Sequence, residues 1–371
     1  MALKGQKDAS ADEKIDMFLF EADYALKYVN SGYTVDVKEK VGLTDADMAN
    51  QYKYTHDIAT DSDGALKGVT WQATPGLFAY RRSIAKDVLG TDDPVQVQAA
   101  LADWTKFEAV AAQMKAKNYY MLAGYDDAYR TFSNNISAPY VNDKKELVIT
   151  DALWDCVDQT EEFTNNGYNN KTTLWSPEWA TEQGPAGKTF GFFYSTWGIN
   201  FTLMGNSLAD ANGPQEVGNG IYGDWAVCEG PASYYWGGTW MAAADGTDNV
   251  SLVKDIMYDL TCDAAIAKQI TLDTLDYTNC KSAMNEIAAD ETYGSTFLGG
   301  QNHIALFASA AEKIDMSNCS PYDQGINENF QNAFKDYFAG TVTKEKALEN
   351  FKTKIREVYP ALNLDNVKLP E

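Results

Sequence analysis

Three polar side chains that could bind a ligand follow an apolar run near the start of the chain. The run at residues 16–20 predicts a β-strand, and Glu21, Asp23 and Tyr24 come directly after it. In open α/β sheets, ligands bind outside the carboxyl ends of the strands. We therefore expect these three side chains to line a site, where their oxygens can hydrogen-bond to hydroxyl groups.

Aromatic residues stand beside carboxylates and amides in several further predicted loops. A sugar offers hydroxyl groups to polar side chains and C–H faces to flat rings, so this combination favours carbohydrate binding. Core packing is the competing interpretation for any single ring, and the recurrence at strand ends favours a site. The further candidates are Trp71, Gln72, Thr74, Tyr125, Asp127, Tyr129, Trp197, Trp236, Trp240, Asp323 and Asn327.

Little in the sequence indicates catalysis. The zinc-protease, nucleophile-elbow and phosphate-loop motifs do not occur, and the glycine pattern at residues 218–223 has no strand before it and no helix after it. Paired carboxylates leave one enzymatic alternative open, a carbohydrate-active hydrolase that uses Asp126 or Asp127 with Glu21. Hydrogen bonding to a ligand is the preferred interpretation, and no cofactor or metal is predicted.

The composition limits the class of protein. The chain has 371 residues, of which 45% are hydrophobic and 13% aromatic, so it can bury cores of the size that two lobes need. Its net charge of −23 disfavours nucleic acid and anionic lipid as partners. The five cysteines have no CxxC spacing, and no apolar run is long enough to span a membrane.

Strand-like and helix-like segments alternate along the chain, which predicts an α/β architecture. Two short predicted strands on either side of Pro75-Gly76 suggest a chain that passes between two lobes. The strands are predicted at 16–20, 68–72, 77–80, 119–123, 190–194 and 241–244, and a long polar loop at 169–188. The main helices are predicted at 95–117, 151–165, 249–260, 324–339 and 343–358.

The order and spacing of these segments resemble family 1 of the extracellular solute-binding proteins of ABC transporters, a family similar to maltose-binding protein. Residues 16–32 resemble a strand and helix of that family, and Asp23 matches its ligand-binding Asp. Tyr129 and Trp197 match aromatic residues that stack on sugars. Tyr24 and Thr74 depart from the family, since they stand where a basic residue and a carboxylate bind the sugar, so the resemblance does not imply maltose as the ligand.

The resemblance implies a two-lobe, periplasmic-binding-protein-like fold with a central cleft and three crossings between the lobes, near 72–76, 236–240 and 299–302. The N-terminal lobe would comprise 1–72 and 241–298, and the C-terminal lobe 77–235 and 303–371. The implied function is capture of a carbohydrate, with an oligosaccharide as the expected ligand, for a membrane permease and without catalysis.

The resemblance also implies an extracellular, cell-surface or periplasmic location, although the sequence shows neither a signal peptide nor a lipid-attachment cysteine. Members of the family have a strand–helix–strand–helix unit before the segment that 16–32 resembles. We therefore expect the first lobe to be truncated at its start, with an exposed sheet edge.

Overall fold

The computed structural model describes residues 2–370, and short helices alternate with strands along them. The strands are β1 (Met17–Glu21), β2 (Val69–Thr70), β3 (Gly76–Arg81), β4 (Leu122–Gly124), β5 (Asn169–Thr172), β6 (Gly191–Ser195), β7 (Trp225–Cys228) and β8 (Thr239–Ala243). The helices are α1 (Ala25–Val29), α2 (Lys53–Ala59), α3 (Arg82–Leu89), α4 (Pro94–Ala100), α5 (Trp104–Ala116), α6 (Tyr129–Ser133), α7 (Asp151–Asn166), α8 (Pro177–Glu182), α9 (Met204–Asn206), α10 (Val250–Thr261), α11 (Ala264–Thr274), α12 (Lys281–Ala288), α13 (Ile304–Ala311), α14 (Asp323–Phe338) and α15 (Lys344–Val358).

Two three-stranded sheets organise the two lobes. The N-terminal lobe is built on the order β1-β8-β2 and the C-terminal lobe on the order β6-β3-β7, and all of these pairs are antiparallel. The short pair β4-β5 is parallel, so the loops after β4 and β5 leave the same edge. This arrangement confirms the predicted mixed α/β fold with two lobes.

The sheet of the C-terminal lobe is enclosed on both faces. Every residue of β3, β6 and β7 is buried, because these strands are continuous apolar runs with helices packed around them. At its centre the Phe78 ring lies 4.9 Å from that of Phe193 and 5.2 Å from that of Phe107. The sheet of the N-terminal lobe is more open, since Leu19 on its edge strand β1 is exposed.

Some predicted segments differ from the observed ones. The helix predicted at 95–117 is two helices, because the Asp103 side chain accepts from Lys106 N at 2.8 Å and begins α5 anew. The loop predicted at 169–188 contains β5 and α8, and the strand predicted at 68–72 is reduced to Val69–Thr70. Strand β7 was not predicted, since its four residues give too short an apolar run.

Two chain segments pass side by side between the sheets. Residues 71–75 join β2 to β3, and residues 229–238 join β7 to β8. Pro75 pairs with Tyr235 as an antiparallel bridge, and Trp236 N donates to Thr74 O at 3.1 Å. Gly76 is required here, because a Cβ at that position would lie 2.1 Å from the Tyr234 ring. We name these paired segments the double crossing.

Side chains lock the double crossing further. Gln72 Oε1 accepts from Thr239 N at 2.9 Å, and Gln72 Nε2 donates to the Asp276 carboxylate. The other Asp276 oxygen accepts from Thr196 Oγ1 at 2.9 Å, at the end of β6 in the opposite lobe. Thr74 Oγ1 donates to Gly237 O at 2.8 Å. The two lobes are therefore joined through a small, fully bonded polar network.

Helix α13 begins beside the segment 299–302, and the residue before it is a buried histidine. His303 is 1% exposed, and neither ring nitrogen has a hydrogen-bond partner within residues 2–370. Burial lowers the pKa of His303 to about 4, since the charged imidazolium would lose its hydration.

Within residues 2–370, no helix is both long and apolar enough to span a membrane.

We predict that His303 makes the fold sensitive to mild acid. The pKa of His303 is lower in the folded chain than in the unfolded one. The contribution of neutral His303 to the free energy of unfolding is therefore fully present above the unfolded pKa near 6.5, and it is lost as the pH falls toward 4. Between pH 7.5 and pH 5 the loss should be about 2 kcal/mol. Urea unfolding of wild type and His303→Leu at both pH values measures this change in the free energy of unfolding. The variant should lose less stability than wild type between pH 7.5 and pH 5. Identical losses in the two proteins would contradict the prediction.

Candidate functional site

A cleft lies between the two lobes beside the double crossing. It encloses a cavity of about 140 Å³ that residues of both lobes line. The N-terminal lobe contributes Asp23, Leu26 and Lys27 from the segment that follows β1. The C-terminal lobe contributes mainly polar side chains from α6 and α14, namely Arg130, Ser133, Asn134, Asp323, Gln324, Asn327, Glu328 and Gln331.

An ion pair spans this cleft. Arg130 donates from Nη2 to Asp23 Oδ2 at 2.9 Å and from Nη1 to Asp23 Oδ1 at 3.2 Å, a two-pronged geometry that aligns both planar groups. The Arg130 guanidinium also lies 5.3 Å from the centre of the Trp236 ring, where a cation is attracted to the ring face. Arg130 thus connects a carboxylate of one lobe to an aromatic wall of the other.

Glu21 stands next to this ion pair at the end of β1. Its Oε2 accepts from Asp23 N at 2.7 Å, which fixes the turn that follows the strand. The side chain is open to solvent, but protein atoms crowd the carboxyl and raise its pKa to about 7, and the negative Asp23 raises it further. Near neutral pH this carboxyl can therefore donate or accept a hydrogen bond.

Three tryptophans form an aromatic cluster on the C-terminal lobe. The rings of Trp175 and Trp197 are stacked at 6.2 Å with an interplanar angle of 20°, and Trp236 lies 5.8 Å from Trp175. Trp197 Nε1 donates to Trp236 O at 2.8 Å, which fixes the position of the Trp197 indole. Trp236 itself is backed by Tyr194, stacked at 5.7 Å. Trp175 is 57% exposed, so a large flat surface remains uncovered.

The wall formed by α14 is held by hydrogen bonds from the lobe interior. Asn327 Oδ1 accepts from Tyr129 Oη at 2.7 Å and from Tyr140 Oη at 2.8 Å. Asp323 accepts from Ser320 Oγ at 2.6 Å, and burial raises the Asp323 pKa to about 7. Tyr129 is buried, and only a small part of its ring faces the cleft. Asn327 and Asp323 therefore provide the polar surface of this wall.

Several predicted ligand residues lie away from the cleft. Thr74 and Trp240 are fully buried, and Trp240 Nε1 donates to Thr55 O at 3.0 Å within the core. Gln72 belongs to the polar network of the double crossing. Trp71 is half-buried against the core and does not line the cavity. These four residues shape the connection between the lobes, and we do not include them in the site.

Asp127 also has a structural position. Its Oδ2 accepts from Gly124 N at 2.6 Å and its Oδ1 from Trp179 Nε1 at 2.7 Å, while burial raises its pKa to about 7. Both oxygens are therefore occupied inside the lobe. The neighbouring Asp126 accepts from Leu174 N at 3.0 Å and borders the cleft. Asp127 is therefore not available to act with Glu21 in the hydrolase alternative, and only Asp126 of the two borders the cleft.

The remaining two predicted residues are accessible. Tyr24 is exposed on the N-terminal lobe beside Asp23. Tyr125 is half-buried, and its ring stacks on Phe338 at 6.1 Å, outside the cleft proper.

Among residues 2–370 there is no group of three His, Cys, Asp or Glu side chains that could hold a metal ion.

Two important residues were not selected from the sequence. Trp175 was noticed as part of a polar loop, and its exposure is a result of the loop conformation, with φ at +68°. Arg130 carries no motif, and basic residues directly after aromatic ones also occur at Tyr52-Lys53 and Tyr80-Arg81, so no sequence signal distinguished it.

Two lobes with a polar cleft between them are the architecture of the hinged, two-lobe class of ligand-binding proteins. Residues 2–293 match the family of bacterial extracellular solute-binding proteins. The chain belongs to this family, whose members are substrate-binding components of transport.

Solved structures share the fold at low sequence identity. An extracellular solute-binding protein of family 1 has a TM-score of 0.78 at 17% identity, with 95% of this chain and 89% of that chain covered. A galacto-N-biose-/lacto-N-biose I-binding protein from Bifidobacterium longum, in complex with lacto-N-biose, has a TM-score of 0.71 at 14% identity, covering 98% and 86%. An ABC transporter associated binding protein from B. animalis subsp. lactis Bl-04, in complex with β-1,6-galactobiose, has a TM-score of 0.68 at 15% identity, covering 96% and 87%. No curated protein sequence matches the chain significantly.

We predict that Asp127 supports the fold and not the ligand. In Asp127→Ala the Gly124 N–H and the Trp179 indole N–H would both lose their buried acceptor, which should cost about 2–4 kcal/mol. Asp127→Asn keeps one acceptor oxygen and should cost less. Urea unfolding measures both losses, and a fully stable Asp127→Ala protein with weakened sugar binding would show the opposite role.

We predict that the Asp23–Arg130 pair favours the closed cleft without ligand. Arg130→Met removes the positive charge and leaves the carboxylates of Asp23 and Glu21 to repel one another. A partly exposed ion pair contributes about 1 kcal/mol or less to stability. The ratio of closed to open protein should therefore fall by up to about fivefold. Small-angle X-ray scattering should show a larger radius of gyration.

The matched control for that experiment is Lys344→Met, which breaks a pair with Asp158 on the outside of the C-terminal lobe. Its radius of gyration should equal that of wild type. An equal increase in both variants would contradict a specific effect on the cleft.

Proposed function

We propose that this protein is the substrate-binding component of an ABC importer and that it captures a carbohydrate, an oligosaccharide, between its lobes. The observation that carries the proposal is that Arg130, which pairs with Asp23 across the cleft, also lies over the ring of Trp236, a member of the tryptophan cluster. Ring faces suit the C–H surface of a sugar, and the charged groups suit its hydroxyls.

The proposed ligand is uncharged. Asp23 and Arg130 already balance one another, so a neutral polyol can insert its hydroxyls between them without leaving a charge unpaired. Glu21, with a pKa near 7, can serve as a donor or an acceptor. The similar structures solved in complex with lacto-N-biose and with β-1,6-galactobiose support a carbohydrate ligand.

In the proposed mechanism the lobes close around the sugar by a hinge motion at the double crossing. The moving bodies would be residues 1–72 with 241–298 and residues 77–235 with 303–371, with the third crossing near 299–302. The closed form would then dock on membrane permease subunits outside the cell or in the periplasm, as membership in the family suggests.

Isothermal titration calorimetry and thermal melts against a panel of mono- and oligosaccharides test the proposal. A sugar at about 100 times its Kd should stabilise the protein by about 2.7 kcal/mol. The same sugar must be recovered unchanged after long incubation, because release of reducing sugar would favour the hydrolase. A cooperative melt that no carbohydrate shifts would contradict the proposal.

We predict that Trp175→Ala weakens sugar binding about tenfold, since a well-stacked ring contributes about 1.4 kcal/mol. The melting temperature without sugar should change little, because the Trp175 side chain is mostly exposed. Calorimetric titration measures the change in Kd. Tyr258→Ala, which removes an exposed ring on α10, is the control and should bind like wild type.

A further inference from the structure

A second cavity lies beside the cleft in the C-terminal lobe. It has a volume of about 240 Å³, larger than the cavity of the cleft itself, and we name it the side chamber. It lies between α14, α7 and the loops that follow β4 and β5. The two cavities are adjacent, because five residues line both: Asp126, Tyr129, Leu174, Glu328 and Gln331.

The side chamber has an aromatic side and an apolar floor. Tyr125 lines it with a ring that is stacked on Phe338 at 6.1 Å, so the position of the Tyr125 ring is fixed. Phe330 and Phe334 form the floor, with their rings stacked at 4.5 Å. Flat, pre-positioned rings of this kind bind C–H surfaces at low entropic cost.

The polar side of the chamber carries unused hydrogen-bonding groups. The side chains of Asn332 and Lys335 line it, and neither makes a hydrogen bond or ion pair within residues 2–370. Lys335 faces Asp126 and Glu328, so the chamber has no excess of positive charge that would attract an anion. The chemistry suits a neutral, hydroxyl-rich group.

Helix α14 borders both cavities along its length. Its N-terminal turn borders the cleft through Gln324 and Asn327, and its later turns border the side chamber through Asn332, Lys335 and Phe338. The distance from residue 324 to residue 338 along a helix is roughly 21 Å. This exceeds the length of a disaccharide.

We propose that the side chamber is a subsite for the additional sugar units of an oligosaccharide whose first units lie in the cleft. The inference rests on the proposed carbohydrate function and adds a preference for chain length. Tyr125 would stack on one further ring, while Asn332 and Lys335 would bind its hydroxyls.

The test compares chain lengths within two series of sugars, α-1,4-linked glucosides and β-1,6-linked galactosides, each from the di- to the pentasaccharide. Calorimetry should show wild-type affinity rising about tenfold or more beyond the disaccharide. Asn332→Trp fills the chamber from an exposed position and should abolish this gain while leaving disaccharide affinity within about twofold of wild type. Tyr125→Ala should lose about fivefold on the longer sugars alone.

The matched control is Asp336→Trp, which adds the same ring on an exposed position of α14 that does not line the chamber. It should keep the gain with length. Disaccharide binding without any gain in wild type, or a gain that survives in Asn332→Trp, would overturn the subsite and leave the proposed function intact. If no member of either series binds wild type, the subsite and the oligosaccharide proposal fall together.

Discussion

The antiparallel pairing of the two segments that join the lobes is the constraint on which the rest of the structure depends. Pro75 against Tyr235 and Thr74 against Trp236 hold the two segments in one register. Gln72 then adds a bond to Thr239 and one to Asp276. Slipping the register would break these hydrogen bonds together and leave several buried polar groups unsatisfied at once.

That register decides which chemical groups meet in the cleft. Glu21 pairs with Thr239 across β1 and β8, so the end of β1 lies directly beside the second segment. Trp236 belongs to the same segment, and Arg130 is drawn over its ring and toward Asp23. Carboxylates from one lobe and rings from the other are therefore brought together by the connection itself, and the loops need only supply Trp175.

Much of the fold could be predicted from apolar runs. The strands at 16–20, 77–80 and 190–194 were each placed within one residue of β1, β3 and β6, because each is a run of mostly apolar residues. The site was harder. Asp126 and Asp127 are adjacent in sequence, yet one borders the cleft and the other accepts two bonds inside the lobe. The partner of Arg130 is 107 residues away, a distance at which sequence gives no contact information.

The exposed position of Trp175 has a spectroscopic consequence. Trp179, Trp225 and Trp240 are buried and keep a dry surrounding for as long as the chain is folded, whereas the indole of Trp175 emits from water. A ligand that covers this ring would shift its emission to shorter wavelength without changing the surroundings of the buried Trp225 and Trp240. The protein thus carries two optical signals of separate origin, one that follows occupancy of the cleft and one that follows the integrity of the core.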